Sequence, residues 1–255
     1  MAKITVVTIC YQSSDFVKTQ CESLYNQCSD NFEYIVLDNG SKIKHIKNLL
    51  KLKSKYDFTL ILENKNYENG SFAHGFGLDS AIKHIKTRYF MILDSDVAIL
   101  MKNWDINLIS LFKENIAAVG VKTTNRETLP QNRLLLIDKL KYDEFKISNM
   151  PQFNKKEPLN SENDTSSDIK RLNKKYDFIL LDYINTRFKK GLHFNGLIGV
   201  EEYFLEGKIL ATHFGRGSSL GAAKYKIKVP RFVKKIYGYL DKRRWINIVE
   251  NLINN

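Results

Sequence analysis

In the run Met91-Ile-Leu-Asp-Ser-Asp-Val-Ala-Ile-Leu100 the only charges are Asp94 and Asp96. Two carboxylates one residue apart at the end of an apolar strand are costly to bury unless something cationic meets them. On an extended strand residues i and i+2 share a face. Where the strand gives way to a turn, both can approach one hard divalent cation through oxygen ligands. A strand closed by a polar turn, where Asp is common, is the other reading of the same residues.

The elements that must hold this pair alternate between short apolar runs and longer amphipathic stretches. Residues 4–9 are β-branched and continuous, as in a buried parallel strand. Ser13-Ser14-Asp15 offers N-caps for a helix through about Tyr25. Strands are predicted at 34–37, 58–62, 89–93 and 117–121, and helices at 43–55 and 76–85. That alternation predicts an α/β fold with a mainly parallel, Rossmann-like sheet flanked by helices. Ligands of such sheets bind outside the carboxyl ends of the strands. Asp38 and Asp94 both stand at such ends, so the pattern gathers them on one rim.

Farther along, residues 150–170 are polar with two prolines and read as a mobile loop or, second, an ordered lid. Residues 176–188 read as a helix capped near Gly191, and 193–210 as strands and turns. The chain divides into a domain over 1–220, with halves at 1–125 and 126–220, and a basic, aromatic helical extension over 221–255.

Of the 255 residues, 43% are hydrophobic and 12% aromatic, enough for a sizeable core and too much for a disordered chain. The formal net charge of +12 permits nucleic acid, anionic membrane or a phosphorylated small substrate without choosing among them. Cys10, Cys21 and Cys28 are odd in number and lack zinc spacing, which argues against a disulfide framework or zinc site. Cys21 and Cys28 are expected as small core residues of the first helix. The first residues do not read as a signal peptide. No apolar run approaches the roughly 20 residues needed to span a bilayer. The expected location is the cytoplasm, with any membrane contact peripheral.

Four segments line up in order: Thr8-Ile-Cys-Tyr11-Gln-Ser-Ser-Asp15, Val36-Leu-Asp38-Asn-Gly-Ser41, the glycine-rich Asn69-Gly70-Ser-Phe-Ala-His74-Gly75-Phe-Gly77, and Leu93-Asp94-Ser-Asp96. This set resembles the family 2 glycosyltransferases, nucleotide-sugar-dependent enzymes of the GT-A fold, most closely over residues 1–125. The resemblance implies an inverting transfer of a sugar from a nucleotide-diphosphate donor to a hydroxyl of a glycan or lipid-linked acceptor. It implies that Asp38 faces the nucleoside, with backbone around Thr8 and the Tyr11 side chain lining the same slot. Asp94 would serve ribose and metal, Asp96 the metal directly, and His213 would complete a Mn²⁺ or Mg²⁺ site. Imidazole favours Mn²⁺ by ligand softness. Ser95, Gly70 and Arg216, the last as a phosphate fork, fall on the donor side. Gly70, Gly75 and Gly77 would let backbone approach a ligand. His74 reads as a surface or core histidine.

An inverting transfer also needs a base for the acceptor proton. Asp182 is the first candidate, for its apolar surround, and Asp177 the second; neither fits the family's Glu-Asp pair well. The tail from Lys224 mixes cations with aromatics. It could lie on an anionic membrane, or pack on the domain through Phe232, Ile236, Tyr239 and Trp245. Other readings are a nucleotide-sugar-binding protein without turnover, a sugar nucleotidyltransferase, and a basic nucleic-acid-binding protein. The nucleotidyltransferase lacks its Gly-rich basic loop after the first strand. Nucleic acid rests on net charge and the tail alone and is not the expected partner.

Overall fold

The computed structural model describes residues 3–63, 70–123, 126–152, 164–215 and 230–254. Strands β1 (Ile4–Cys10), β2 (Glu33–Asn39), β3 (Thr59–Glu63) and β4 (Tyr89–Leu93) run parallel in the order β3-β2-β1-β4. They are joined through helices α1 (Ser14–Gln27), α2 (Ile43–Lys53) and α3 (Gly70–Ile82), and the short helices α4 (Trp104–Ile109) and α5 (Lys139–Glu144) follow later in the chain. From β4 the sheet continues through β7 (Arg126–Asp138), β6 (Ile116–Thr123), β8 (Asp177–Asn185), β9 (Glu201–Leu205), β10 (Lys208–His213) and β5 (Val97–Ile99). Strands β7, β9 and β5 run against the other seven, so the sheet is mainly but not wholly parallel.

One consequence of this order positions the site. Strands β4 and β5 are separated in sequence only by Asp94-Ser95-Asp96, yet β4 stands fourth in the sheet and β5 tenth. Three residues span at most about 10 Å. The later half of the sheet therefore curves back until its last strand meets the tip of β4, and the two carboxylates sit at that meeting point.

Successive residues of the central strands feed opposite faces. Val6, Met91, Leu134 and Leu136 pack under α1 with Val17, Cys21 and Leu24. Val7, Ile92, Leu135 and Ile137 pack under α3 with Leu78, Ala81 and Ile82. Cys21 is buried as expected, while Cys28 is half-buried at the end of α1. A third cluster joins Phe16 of α1, Phe194, Leu197 and Phe214 to Trp245, Val249 and Ile253 of α6 (Arg231–Asn254).

The structure corrects two readings of the sequence. Residues 176–188 form no helix: Asp177–Asn185 is strand β8, bonded on both edges, parallel to β6 and antiparallel to β9. Phe178-Ile-Leu-Leu181 is a short unbroken apolar run, which periodicity alone cannot assign to a helix or a buried strand. Strand β7, with Leu134–Ile137 wholly buried, is also an addition to the expected set. Of the polar segment 150–170, residues 153–163 lie outside the described residues. Residues 164–170 are not a plain loop, since they lead into a 3₁₀ turn at Ser167–Lys174.

Gly75 and Gly77 of α3 serve close packing. A Cβ on Gly75 would stand 2.5 Å from the Asn149 carbonyl oxygen, and one on Gly77 would stand 3.2 Å from Ile9. The 148–149 backbone cannot retreat easily. Asp79 Oδ1 accepts from the Asn149 amide at 2.8 Å and Oδ2 from the Ser148 hydroxyl at 2.7 Å. Gly75→Ala is therefore expected to lower stability by about 2–3 kcal/mol. Denaturant unfolding reads this, and an unchanged midpoint would show that the segment yields.

Candidate active site

The segment after β4 is a tight turn in which the Val97 amide donates to the Asp94 carbonyl at 3.0 Å. Gln20 on α1 clamps it. Its Nε2 donates to the carbonyls of Asp94 (2.8 Å) and Val97 (3.0 Å), and its Oε1 accepts from the Tyr34 hydroxyl at 2.6 Å. The fully buried Thr8 hydroxyl also reaches Gln20 Oε1 at 2.8 Å. The polar face of α1 is thus spent on fixing the turn.

The turn aims Asp94 and Asp96 at His213, the last residue of β10, whose backbone lies opposite Val97. His213 Nε2 stands 3.2 Å from Asp96 Oδ1 and 3.8 Å from Asp94 Oδ2. Ligand atoms of all three residues lie within 4.8 Å of one another. Two ligands about 2.1 Å from one ion can be at most about 4.2 Å apart, so a cation fits after a small closure. Two carboxylate oxygens and an imidazole suit a borderline divalent ion such as Mn²⁺.

Behind His213 stands Glu201, which local sequence pattern does not mark as part of the site. Its Oε2 lies 3.1 Å from His213 Nδ1, and it accepts from the Tyr203 hydroxyl at 2.8 Å. Arg133 donates to both its oxygens at 2.8 and 2.7 Å, and Asn185 Nδ2 to Oε1 at 3.1 Å. The carboxylate holds the proton on Nδ1 and leaves Nε2 for the cluster, as in the second shells of metal-bound histidines. Burial alone would push Glu201 up, but His213 and Arg133 outweigh it and hold the carboxyl well below its usual range. Burial would push His213 down, yet Asp96 and then Glu201 raise it to about 9. Burial raises Asp94, with His74 and His213 opposing.

On the neighbouring strand ends a second feature forms. Asp38 is buried, and its Oδ1 accepts the Ser41 amide at 2.8 Å. Among the described residues its Oδ2, also buried, has no hydrogen-bond partner, and the same holds for Asn39 Oδ1 beside it. The Ser41 hydroxyl accepts the amide of Gln12, which holds a left-handed φ of 56° in the turn after β1. The two turns are thereby tied together, with Tyr11 left 53% exposed at the mouth. An exposed ring thus stands beside buried acceptors that a donor-bearing ligand would answer.

The expected residues divide. Asp38, Tyr11, Asp94, Ser95, Asp96 and His213 lie on this rim, while Thr8 is wholly buried beneath it and acts from within. Gly70 opens α3, where a Cβ would meet nothing within 4 Å. His74, read as surface or core, faces the cluster with Nε2 4.0 Å from Asp94 Oδ1. Arg216 lies outside the described residues. Asp177 and Asp182 are not brought to the cluster. Asp177 starts β8, at the end of the sheet opposite the rim, and accepts from Asn115. Asp182 is three residues before Asn185 and so on the other face of β8. Its side chain is 76% exposed and paired with Lys122 at 2.5 Å.

Comparison with known proteins matches the model of glycosyl transferase family 2 over residues 5–175. A teichoic acid poly(glycerol phosphate) polymerase of Staphylococcus epidermidis is 27% identical over 96 residues, 38% of this chain and 13% of the polymerase. The matched part thus spans about an eighth of that relative. Among solved structures, the mannosyltransferase PcManGT from Pyrobaculum calidifontis, in complex with GDP-Man and Mn²⁺, aligns with TM-score 0.55 and 13% identity. That alignment covers 98% of this chain and 73% of that one. S. aureus TarS 1–349 in complex with UDP-GlcNAc aligns with TM-score 0.51 and 14% identity over 94% of this chain and 72% of that one. These likenesses show the overall fold, and the family match spans most of the chain. The chain belongs to glycosyl transferase family 2, a glycosyltransferase built on a GT-A type sheet.

Proposed function

We propose that this enzyme transfers a sugar from a nucleoside-diphosphate sugar to an acceptor hydroxyl, with inversion and with a divalent cation held by Asp94, Asp96 and His213. The observation that carries the reading is the convergence of these three residues from the two strands that close the curled sheet. Nucleotide sugars named with PcManGT and TarS support the donor class. Asp38 receives the base or ribose through its unanswered Oδ2, and Tyr11 covers the same slot. Asp94 serves ribose and cation together, with Ser95 beside it. His74 and the opening turn of α3 at Gly70 face the diphosphate. Glu201 keeps His213 in the ligating tautomer. Bound there, Mn²⁺ or Mg²⁺ supplies Lewis-acid charge to the leaving nucleoside diphosphate. The acceptor is a glycan or lipid-linked hydroxyl received on the side built by residues 126–220.

The test is release of nucleoside diphosphate from a panel of nucleotide sugars, with Mn²⁺ and with chelator. One donor turned over only with metal, giving a product of inverted anomeric configuration by NMR, is the expected result. Metal-dependent binding with no release from any donor would instead mark a binding protein. Asp38→Asn is expected to weaken nucleoside diphosphate binding about tenfold to a hundredfold, because a buried charged acceptor is lost. Calorimetric titration reads it, and an unchanged affinity would remove Asp38 from nucleoside recognition.

A further inference from the structure

Helix α6 divides along its length. Gly238, Lys242, Trp245, Val249 and Ile253 face the domain and are buried. Trp245, Val249 and Ile253 lock the C-terminal half onto Phe16, Phe194 and Phe214. The N-terminal half does the reverse. Phe232, Ile236, Tyr239 and Leu240 follow i, i+4, i+7, i+8 spacing on the side away from the domain, and all are exposed, Phe232 by 65%. The expectation that Phe232, Ile236 and Tyr239 pack on the domain is therefore not met; of that set only Trp245 is buried.

A second exposed apolar group lies on a neighbouring element. The loop between β8 and β9 carries Phe188, 78% exposed, between the exposed cations Arg187, Lys189 and Lys190, with exposed Leu192 beyond. This loop is seated on α6: Phe194, Leu197 and Val200 share the Trp245 cluster, and a Cβ on Gly196 would meet Arg244 at 3.7 Å. It leaves from Asn185 and returns at Glu201, the pair bonded behind His213.

Both apolar groups are ringed by cations. On α6 these are Arg231, Lys235, Arg243 and Arg244, all exposed, and Asp241 is the sole acid between 231 and 244. Apolar side chains framed by Lys and Arg match an anionic bilayer, where the apolar groups enter the acyl boundary and the cations meet headgroups. A second copy of this chain would set the same cations against one another. Nucleic acid would satisfy the cations and leave the apolar stripe in water.

We propose that the outward face of residues 232–244 of α6, together with the 187–192 tip, docks the enzyme on an anionic membrane surface. The loop that touches the bilayer then also borders the catalytic cluster, so a lipid-linked acceptor reaches the site from the membrane side; this last clause rests on the transfer proposed above.

Co-sedimentation of the whole chain with phosphatidylcholine vesicles, with and without phosphatidylglycerol, tests the docking. Binding is expected only with the anionic lipid and should fall as salt rises. The pairs Phe232→Ser with Ile236→Ser, and Arg243→Glu with Arg244→Glu, should each weaken it by roughly tenfold or more. Phe188→Ser should weaken it less. Unfolding midpoints and nucleoside diphosphate release from soluble donor should stay at wild-type values, which separates failure of docking from failure of the transfer reading. The proposal is overturned by equal binding to neutral vesicles, by no binding at low salt, or by binding indifferent to both pairs. It is equally overturned if Phe232→Ser with Ile236→Ser lowers the unfolding midpoint, or dissolves a dimer seen by sedimentation equilibrium, since the face is then already covered.

Discussion

Replacing Asp96 by Asn is expected to lower metal-dependent turnover by two to three orders of magnitude, on the order of 10²–10³. The side chain is buried, and its Oδ1 stands 3.2 Å from His213 Nε2, so under the proposed reading it lies where cation and imidazole would meet. Asn keeps the volume and the main-chain bond from the Phe214 amide to the residue 96 carbonyl, at 2.9 Å, and removes the charge. In the proposed transfer, charge is what would organise the leaving diphosphate and its counter-ion. Mn²⁺ titration should show weakened binding in parallel. Turnover within a few fold of wild type would mean that Asp96 is only the polar end of a strand, the plainer of the two readings the sequence allows.

Glu201→Gln has a different signature, because Glu201 acts through its neighbours. The carboxylate receives Arg133 on both oxygens, Tyr203, Asn185 and His213 at once. Gln keeps the shape but leaves the Arg133 guanidinium without its counter-charge. Breaking a buried pair in this way costs roughly 3–5 kcal/mol. Arg133 keeps 32% of its side-chain exposure, so water screens part of that cost. A loss of about 2–3 kcal/mol in denaturant unfolding is the expected value. Gln also offers an amide where His213 Nδ1 needs an acceptor, so the tautomer is no longer enforced. Removing such a partner typically weakens metal binding about tenfold to a hundredfold. Both readouts are needed: a stability loss with metal affinity intact would make Glu201 a structural counter-ion alone.

The first half of the chain is legible because its signals are local. An unbroken β-branched run such as Ile4-Thr-Val-Val-Thr-Ile9 admits few readings, and an acid closing such a run stands out, so Asp38, Asp94 and Asp96 are visible. Glu201-Glu202, between Val200 and Tyr203-Phe-Leu205, is an acid pair that opens an apolar strand instead of closing one. That pair stays hidden as long as the run before it reads as a helix. Once 177–185 is a strand, Glu201 falls opposite Asn185 and one strand from His213. Glu202 is then explained as well: it accepts the amides of Leu192, His193 and Phe194 and shapes the loop against Gly191. The partnership of β10 with β5, which brings His213 to Val97, joins residues more than a hundred apart. No local pattern encodes such a pairing; the curl of the whole sheet does. Asp182 sits in sequence among Phe178–Leu181 and Ile184, but alternation along a strand turns it outward to Lys122. Gly75 and Gly77 of α3 show the opposite case, real constraints whose causes are the 149–150 backbone and the Ile9 and Leu37 side chains.

The central claim, a cation held between the two closing strands, is tested most directly by a crystal of the protein grown with nucleoside diphosphate and Mn²⁺, with data collected at the manganese edge. The expected result is one anomalous peak about 2.1 Å from Asp94, Asp96 and His213 Nε2, touching the diphosphate, with the nucleoside against Asp38. An ion bound elsewhere, or a nucleotide seated with His213 still turned onto Asp96 and no ion between them, would contradict it.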